Sequence, residues 1–236
     1  MISICRHKTG LWGCIHLCIF LALVFGTLKS NAQPDEQILQ KTSDPFKNRV
    51  TAVHDSTFVN LLDYSNDFVL DMKYATTDNF LKSNVYDCAQ CMLRFKTVKS
   101  LIKANSDFRR YGYRIKLFDC YRPLDIQKKM WALVNNPKYV ADPAKGSIHN
   151  RGGAVDITLV NEKGENLEMG TDFDYFGTEA SHSYKNLSPK ILKNRRLLRK
   201  VMKRNGFEIF ESEWWHYNLK GAKSYKIANY RWNCAN

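Results

Sequence analysis

The residues able to bind a metal or move protons gather in two short segments of this 236-residue chain. One reads Ser147-Ile148-His149-Asn150-Arg151-Gly152-Gly153-Ala154-Val155-Asp156, the other Glu213-Trp214-Trp215-His216. A catalytic zinc takes three nitrogen or oxygen ligands from the protein and keeps a fourth position for water; His149, Asp156 and His216 form a set of that type. Such an ion would polarise an amide carbonyl and acidify a water. A carboxylate must then accept that water's proton and pass it to the departing amine, and Glu213 stands three residues from His216. The tetrahedral intermediate carries an oxyanion, which a fixed guanidinium such as Arg122, followed directly by Pro123, can stabilise by ~3 kcal/mol. Each residue alone also has a bland reading: a structural His or Asp, a surface ion pair for Arg122, core aromatics for Trp214 and Trp215. Only the combination points to hydrolysis.

Positioning these groups makes demands on the chain around them. From Ala154 to Val160, Val155, Ile157 and Leu159 alternate with Asp156 and Thr158, the period of a strand, which turns Asp156 to the polar face. Gly152-Gly153 lets the backbone fold His149 back against that face. In a flat strand Glu213 and His216 would face opposite sides, so a turn or bulge is expected across Trp214-Trp215. Elsewhere the pattern predicts a short helix over Thr57 to Tyr64, a strand over Phe68 to Tyr74 and an amphipathic helix over Leu93 to Phe108. A strand then runs from about Ile115 to Tyr121, and a helix opened by Pro123 continues to about Asn136. Ser188-Pro189 starts another helix and Asn205-Gly206 stops it, before an aromatic-rich strand or strand-turn from Phe207 to Leu219. The elements lack a repeating βαβ rhythm, which favours an α+β domain.

Composition sets the frame. Residues 1–32 read as a secretory signal: Arg6 and Lys8, an apolar run from Leu11 to Phe25, then Ser30-Asn31-Ala32 with small-x-small cleavage spacing. Residues 33–50 read as a flexible leader and 51–236 as the folded domain. The apolar run is shorter than the roughly 20 residues of a membrane span. The expected location is therefore the periplasm or extracellular envelope. The signal contains Arg6, Lys8 and Lys29 and no acid, so its removal lowers the formal charge from +13 to +10. Such a charge suits weak association with anionic wall polymers. Eight Lys or Arg residues lie between Lys190 and Arg204, but a charge run is ordinarily a solvated face, and this one lacks the interleaved aromatics of a nucleic-acid platform. Four cysteines remain after the signal: Cys88, Cys91, Cys120 and Cys234. Cys88-Ala-Gln-Cys91 could be half a metal site or a redox pair; a structural disulfide using some of the four fits an exported chain better.

Beyond these readings, five stretches resemble the D-alanyl-D-alanine dipeptidases, a zinc peptidase family, in order and at similar separations. They are Lys73-Tyr74-Ala75-Thr76-Thr77-Asp78-Asn79-Phe80, Asp119-Cys120-Tyr121-Arg122-Pro123, the Ser147-to-Asp156 run, Met169-Gly170-Thr171-Asp172-Phe173-Asp174, and Glu213-Trp214-Trp215-His216-Tyr217. The resemblance implies a compact α+β domain around a central antiparallel sheet flanked by helices, as in the hedgehog and D,D-peptidase fold. It implies one Zn2+ per chain on His149, Asp156 and His216, with Glu213 as acid/base and Arg122 as transition-state stabiliser. It places Tyr74, Ser147 and Asp174 in a pocket for a small D-amino-acid dipeptide. Asp174 suits the substrate ammonium, although Asp172 and Asp174 could equally cap a turn. Cys120 departs from the family, which commonly has Gly there. Two alternatives stand beside the dipeptidase: a carboxypeptidase trimming longer muropeptides, and a non-catalytic metal-binding envelope protein. The latter has no need of Glu213 or Arg122.

Overall fold

The computed structural model describes residues 53–234; the secretory signal expected over 1–32 and the leader over 33–50 lie outside them. A five-stranded sheet runs in the order β2 (Val69–Leu70), β4 (Tyr113–Asp119), β5 (Ala154–Asn161), β7 (Glu213–Leu219), β6 (Phe207–Phe210). All its neighbours are antiparallel except β2 and β4, which pair in parallel. The sheet is thus mixed rather than wholly antiparallel, because β2 returns to β4 through a helix. That helix, α1 (Phe95–Arg109), packs on β4. β1 (Phe58–Asn60) and β3 (Met92–Arg94) form a separate antiparallel pair. The α2 helix (Leu124–Leu133) follows Arg122-Pro123, and α3 (Pro189–Arg204) packs against α1 and β6. Among the described residues, no helix is long and apolar enough to cross a membrane.

The helix expected over Thr57–Tyr64 is instead β1 followed by a 3-10 turn at Leu61–Asp63. Phe58 and Val59 pair with β3, and the Asn60 side chain accepts the Leu62 N–H, so the polar residue caps a turn. The strand expected over Phe68–Tyr74 shrinks to Val69–Leu70. Its end curls into a 3-10 turn at Lys73–Ala75, pinned where Asn79 Nδ2 donates to the carbonyls of Lys73, Thr76 and Ser83. The second helix stops at Leu133, three residues short of Asn136. The α3 helix has its expected cap, with Ser188 Oγ accepting the Ile191 N–H.

Leu198, Val201 and Met202 bury the inner face of α3. Arg195, within the basic run read as solvated, is also buried and donates to the carbonyls of Met169, Glu179 and Ser181. That residue is a clamp on two loops, whereas Lys193, Arg196, Lys200 and Lys203 remain exposed. The four cysteines among the described residues are all bonded, Cys88 to Cys234 and Cys91 to Cys120. The Cys-x-x-Cys pair is therefore neither a metal half-site nor a redox pair; its members diverge to two distant partners.

Candidate metal centre and active site

The site assembles where β5 and β7 run side by side. Asp156 and His216 are direct cross-strand partners. Paired residues project to the same face, so their side chains meet without further help. The third group, His149, opens a 3-10 turn (His149–Arg151) that ends at Gly152 with φ +71°. A Cβ on Gly152 would lie 2.4 Å from Phe58 Cε1, and one on Gly153 2.2 Å from Ala222 Cβ. Only glycine lets the backbone turn this tightly and bring His149 over Asp156.

Glu213 reaches the same face through the expected irregularity. Ile209 pairs with Tyr217 but the adjacent Phe210 pairs with Glu213, so Trp214, Trp215 and His216 bulge out of register. The Glu213 Oε2 then lies 3.8 Å from His216 Nδ1. At the end of β4 a second register slip, between Leu117 and Asp119, turns the chain toward Arg122.

His216 Nδ1 is 2.9 Å from Asp156 Oδ1, His149 Nε2 is 3.3 Å from that same oxygen, and the two ring nitrogens are 3.2 Å apart. Two ligands at ~2.05 Å from a tetrahedral zinc sit ~3.3 Å from each other, so the triangle has the right size for one ion. The remaining ring nitrogens strengthen this fit. His149 Nδ1 lies 2.6 Å from the Cys120 carbonyl, and His216 Nε2 lies 2.9 Å from Asn218 Oδ1. Each imidazole donates its one N–H outward, to an oxygen, and so turns a lone pair toward the centre of the triangle. The residues present therefore fit zinc.

Arg122 is buried and stays charged. Desolvation alone would lower its pKa, but Asp119 beneath it, with Tyr74, Tyr86 and Asp156, raises it well above normal. Its Nε and Nη2 donate to Asp119 Oδ2 at 3.0 and 2.7 Å, and Nη1 donates to Gln127 Oε1 at 3.0 Å. A guanidinium has five N–H groups, so one on Nη1 and one on Nη2 are not used by these bonds, and the Tyr86 hydroxyl also lies at hydrogen-bonding reach of the guanidinium. Nη2 is 3.8 Å from Asp156 Oδ2, which places the guanidinium beside the triangle. Across the cavity, Tyr74 donates to Asp174 Oδ2 at 2.8 Å. Asp174 adopts φ +59°, a left-handed conformation costly for a side chain other than glycine's. Burial, then the nearby Asp156, push its carboxyl up to about 8. Burial likewise raises Glu213 to about 8, against the pull of His216.

Every site residue expected from sequence lines one cavity of about 240 Å3: Tyr74, Arg122, Ser147, His149, Asp156, Asp174, Glu213 and His216. That is small beside the ~300–1,000 Å3 of drug-sized pockets. Phe176 contacts Phe80 and Tyr139 at ring distances of 5.3 and 5.1 Å, and all three line the cavity from separate segments as an aromatic rim. Four supporting residues had no role in the sequence reading: Asp119, Gln127, Asn218 and Asn150, whose Nδ2 donates to the Arg122 carbonyl and whose Oδ1 accepts the Ser147 N–H. Asn218 was within reach of inspection, since it lies two positions beyond His216 on one strand face. Gln127 gave no such signal, because its approach to Arg122 depends on how α2 leaves Pro123.

Comparison with known proteins agrees with this geometry. A family model described as D-Ala-D-Ala dipeptidase matches residues 54–234. A D-alanyl-D-alanine dipeptidase of Escherichia coli K12 is 37% identical over 169 residues, 71% of this chain and 87% of that protein. Dipeptidases of the same description from Enterococcus faecium and Enterococcus faecalis are 32% and 30% identical over 64% and 63% of this chain, and 85% and 84% of their own lengths. The chain belongs to the D-alanyl-D-alanine dipeptidase family of peptidases.

Proposed function

We propose that the chain is a zinc metallopeptidase that hydrolyses D-alanyl-D-alanine to two molecules of D-alanine. The observation that carries this is the convergence of His149, Asp156 and His216 on one point, with Glu213 and the Arg122 guanidinium lining the same cavity of about 240 Å3. His149, Asp156 and His216 would hold the zinc, which when bound would supply Lewis acidity toward the scissile carbonyl and lower the pKa of a water. Glu213 accepts the attacking water's proton and returns it to the departing amine, and a dication held by the three ligands would favour its ionised form. Arg122 donates to the oxyanion, with Asp119 and Gln127 fixing its direction. Asp174, oriented by Tyr74, pairs with the substrate ammonium, whose positive charge draws the carboxyl into its ionised form, and Ser147 lines the same cavity.

The small volume and the aromatic rim of Phe80, Tyr139 and Phe176 favour a free dipeptide over a longer muropeptide. The signal-like segment 1–32 and two disulfides favour export to the periplasm or cell exterior, where the substrate would come from envelope peptides. The basic exposed face of α3 favours weak wall association there. A panel of D,D, L,D and L,L dipeptides, with a tripeptide and pentapeptide ending in D-Ala-D-Ala, tests the reading. Turnover should be largest on D-Ala-D-Ala; preference for the pentapeptide would make the protein a carboxypeptidase.

A further inference from the structure

The chain just after β4 carries an unusual share of the site. Asp119 clamps Arg122, the Cys120 carbonyl receives the Nδ1–H of His149, and Arg122 presents its guanidinium. Residues 120–122 belong to no helix or strand, and the β4–β5 register slips just before them. Their placement depends on other restraints: Arg122 N–H donates to the His149 carbonyl, Asn150 Nδ2 donates to the Arg122 carbonyl, Tyr121 exchanges hydrogen bonds with Tyr230, and a further group comes from residues 86–92. Tyr86 donates to Asp119 Oδ1 at 2.7 Å, Tyr121 N–H donates to the Met92 carbonyl at 2.9 Å, and Cys91 is bonded to Cys120. Cys91 is itself anchored, fully buried with its carbonyl accepting the Leu61 N–H.

We infer that the Cys91–Cys120 disulfide is a positioning element of the metal centre. It holds the Cys120 carbonyl against His149 Nδ1, which fixes the tautomer and direction of that imidazole, and it steadies Asp119 beneath Arg122. The inference rests on reading His149, Asp156 and His216 as the zinc ligands. Outer partners of a metal-ligating histidine typically contribute 10–100-fold to metal affinity. Here the outer partner is a backbone carbonyl in an irregular segment, so the cross-link does for it what a strand ladder would do elsewhere.

The second disulfide provides an internal control. Cys88–Cys234 spans 146 residues against 29 for Cys91–Cys120, so it removes more entropy from the unfolded chain and should matter more to stability. It ties down the C-terminal segment, where Tyr230 stacks on Tyr121 and Trp232 meets Tyr86, but it makes no bond to a ligand or to Arg122. Stability and zinc affinity should thus be lost in opposite order when the two bonds are removed.

The test compares the full chain, Cys91→Ala/Cys120→Ala and Cys88→Ala/Cys234→Ala, measuring zinc affinity by competition with a chromophoric chelator and the Tm of each metal-free form. Loss of Cys91–Cys120 should weaken zinc binding ~10–100-fold, while loss of Cys88–Cys234 leaves it within ~3-fold despite an equal or larger fall in Tm. Should the first variant not fold, Cys91→Val/Cys120→Ala, which refills the buried volume, is judged by the same criterion. Affinity unchanged on loss of Cys91–Cys120, or reduced equally by loss of either bond, overturns the inference alone. A wild-type chain that binds no zinc overturns the proposed function and this inference with it.

Discussion

Glu213 carries the proton transfer in this account, and its position separates chemistry from binding. It lies beside the ligand triangle but is not a member of it. Glu213→Gln should therefore retain one zinc per chain while kcat falls by ~10²–10⁴-fold, the usual contribution of a general acid–base. Metal analysis and steady-state kinetics on the same preparation check both halves. Asp174 offers a different test, in stability. Its carboxyl is raised from 3.8 to about 8 in the folded chain, mainly by burial. The folded state then holds a proton that the unfolded state releases, a contribution complete below pH ~4 and lost as pH rises through ~8. In the metal-free chain, Tm of the wild type should fall relative to Asp174→Asn as pH increases from 5 to 9. A pH-independent difference would show that Asp174 ionises normally.

At the scale of elements, the site depends on three local departures from regular structure: the glycine turn after His149, the bulge through Trp214–His216 and the slip at the end of β4. Two of these could be read from residues, because Gly152-Gly153 and the three-residue spacing of Glu213 and His216 each require an irregular backbone. The slip at Phe118 could not, since no glycine or proline marks it. Gly153→Ala should destabilise the chain by ~1–3 kcal/mol and weaken zinc binding, because its Cβ would sit 2.2 Å from Ala222 Cβ on the other side of the turn. Thermal melts and chelator competition measure the two effects. The β1 segment shows how propensity misleads in the other direction. Leu61-Leu62 next to Phe58-Val59 resembles a helical stripe, yet Asn60 between them caps a turn, and pairing with β3 decides the conformation.

The molecule as a whole couples distant segments that sequence order keeps apart. The three ligands span 67 residues, and the long-range pairings β5–β7 and β4–β5 bring them together. Strand alternation made Asp156 legible and the capping residues made α3 legible, but disulfide partners were not, because cysteine pairing is a property of the folded path. The parallel β2–β4 pair was hidden for a similar reason: two paired residues, Val69 and Leu70, are too few to show a period. Zinc should stabilise the whole domain by linkage, by about 2.7 kcal/mol at a free concentration 100 times its Kd. His216→Ala should abolish that zinc-dependent rise in Tm, and persistence of the rise would place the ion elsewhere.

Release of D-alanine from D-alanyl-D-alanine by the zinc-loaded chain, measured beside zinc-loaded Glu213→Gln, tests the central claim most directly. The account predicts two D-alanines per dipeptide from the wild type and a rate at least ~10²-fold lower from the variant at equal metal content. Equal rates from both proteins, or a wild type that holds its zinc and leaves the dipeptide intact, would contradict it.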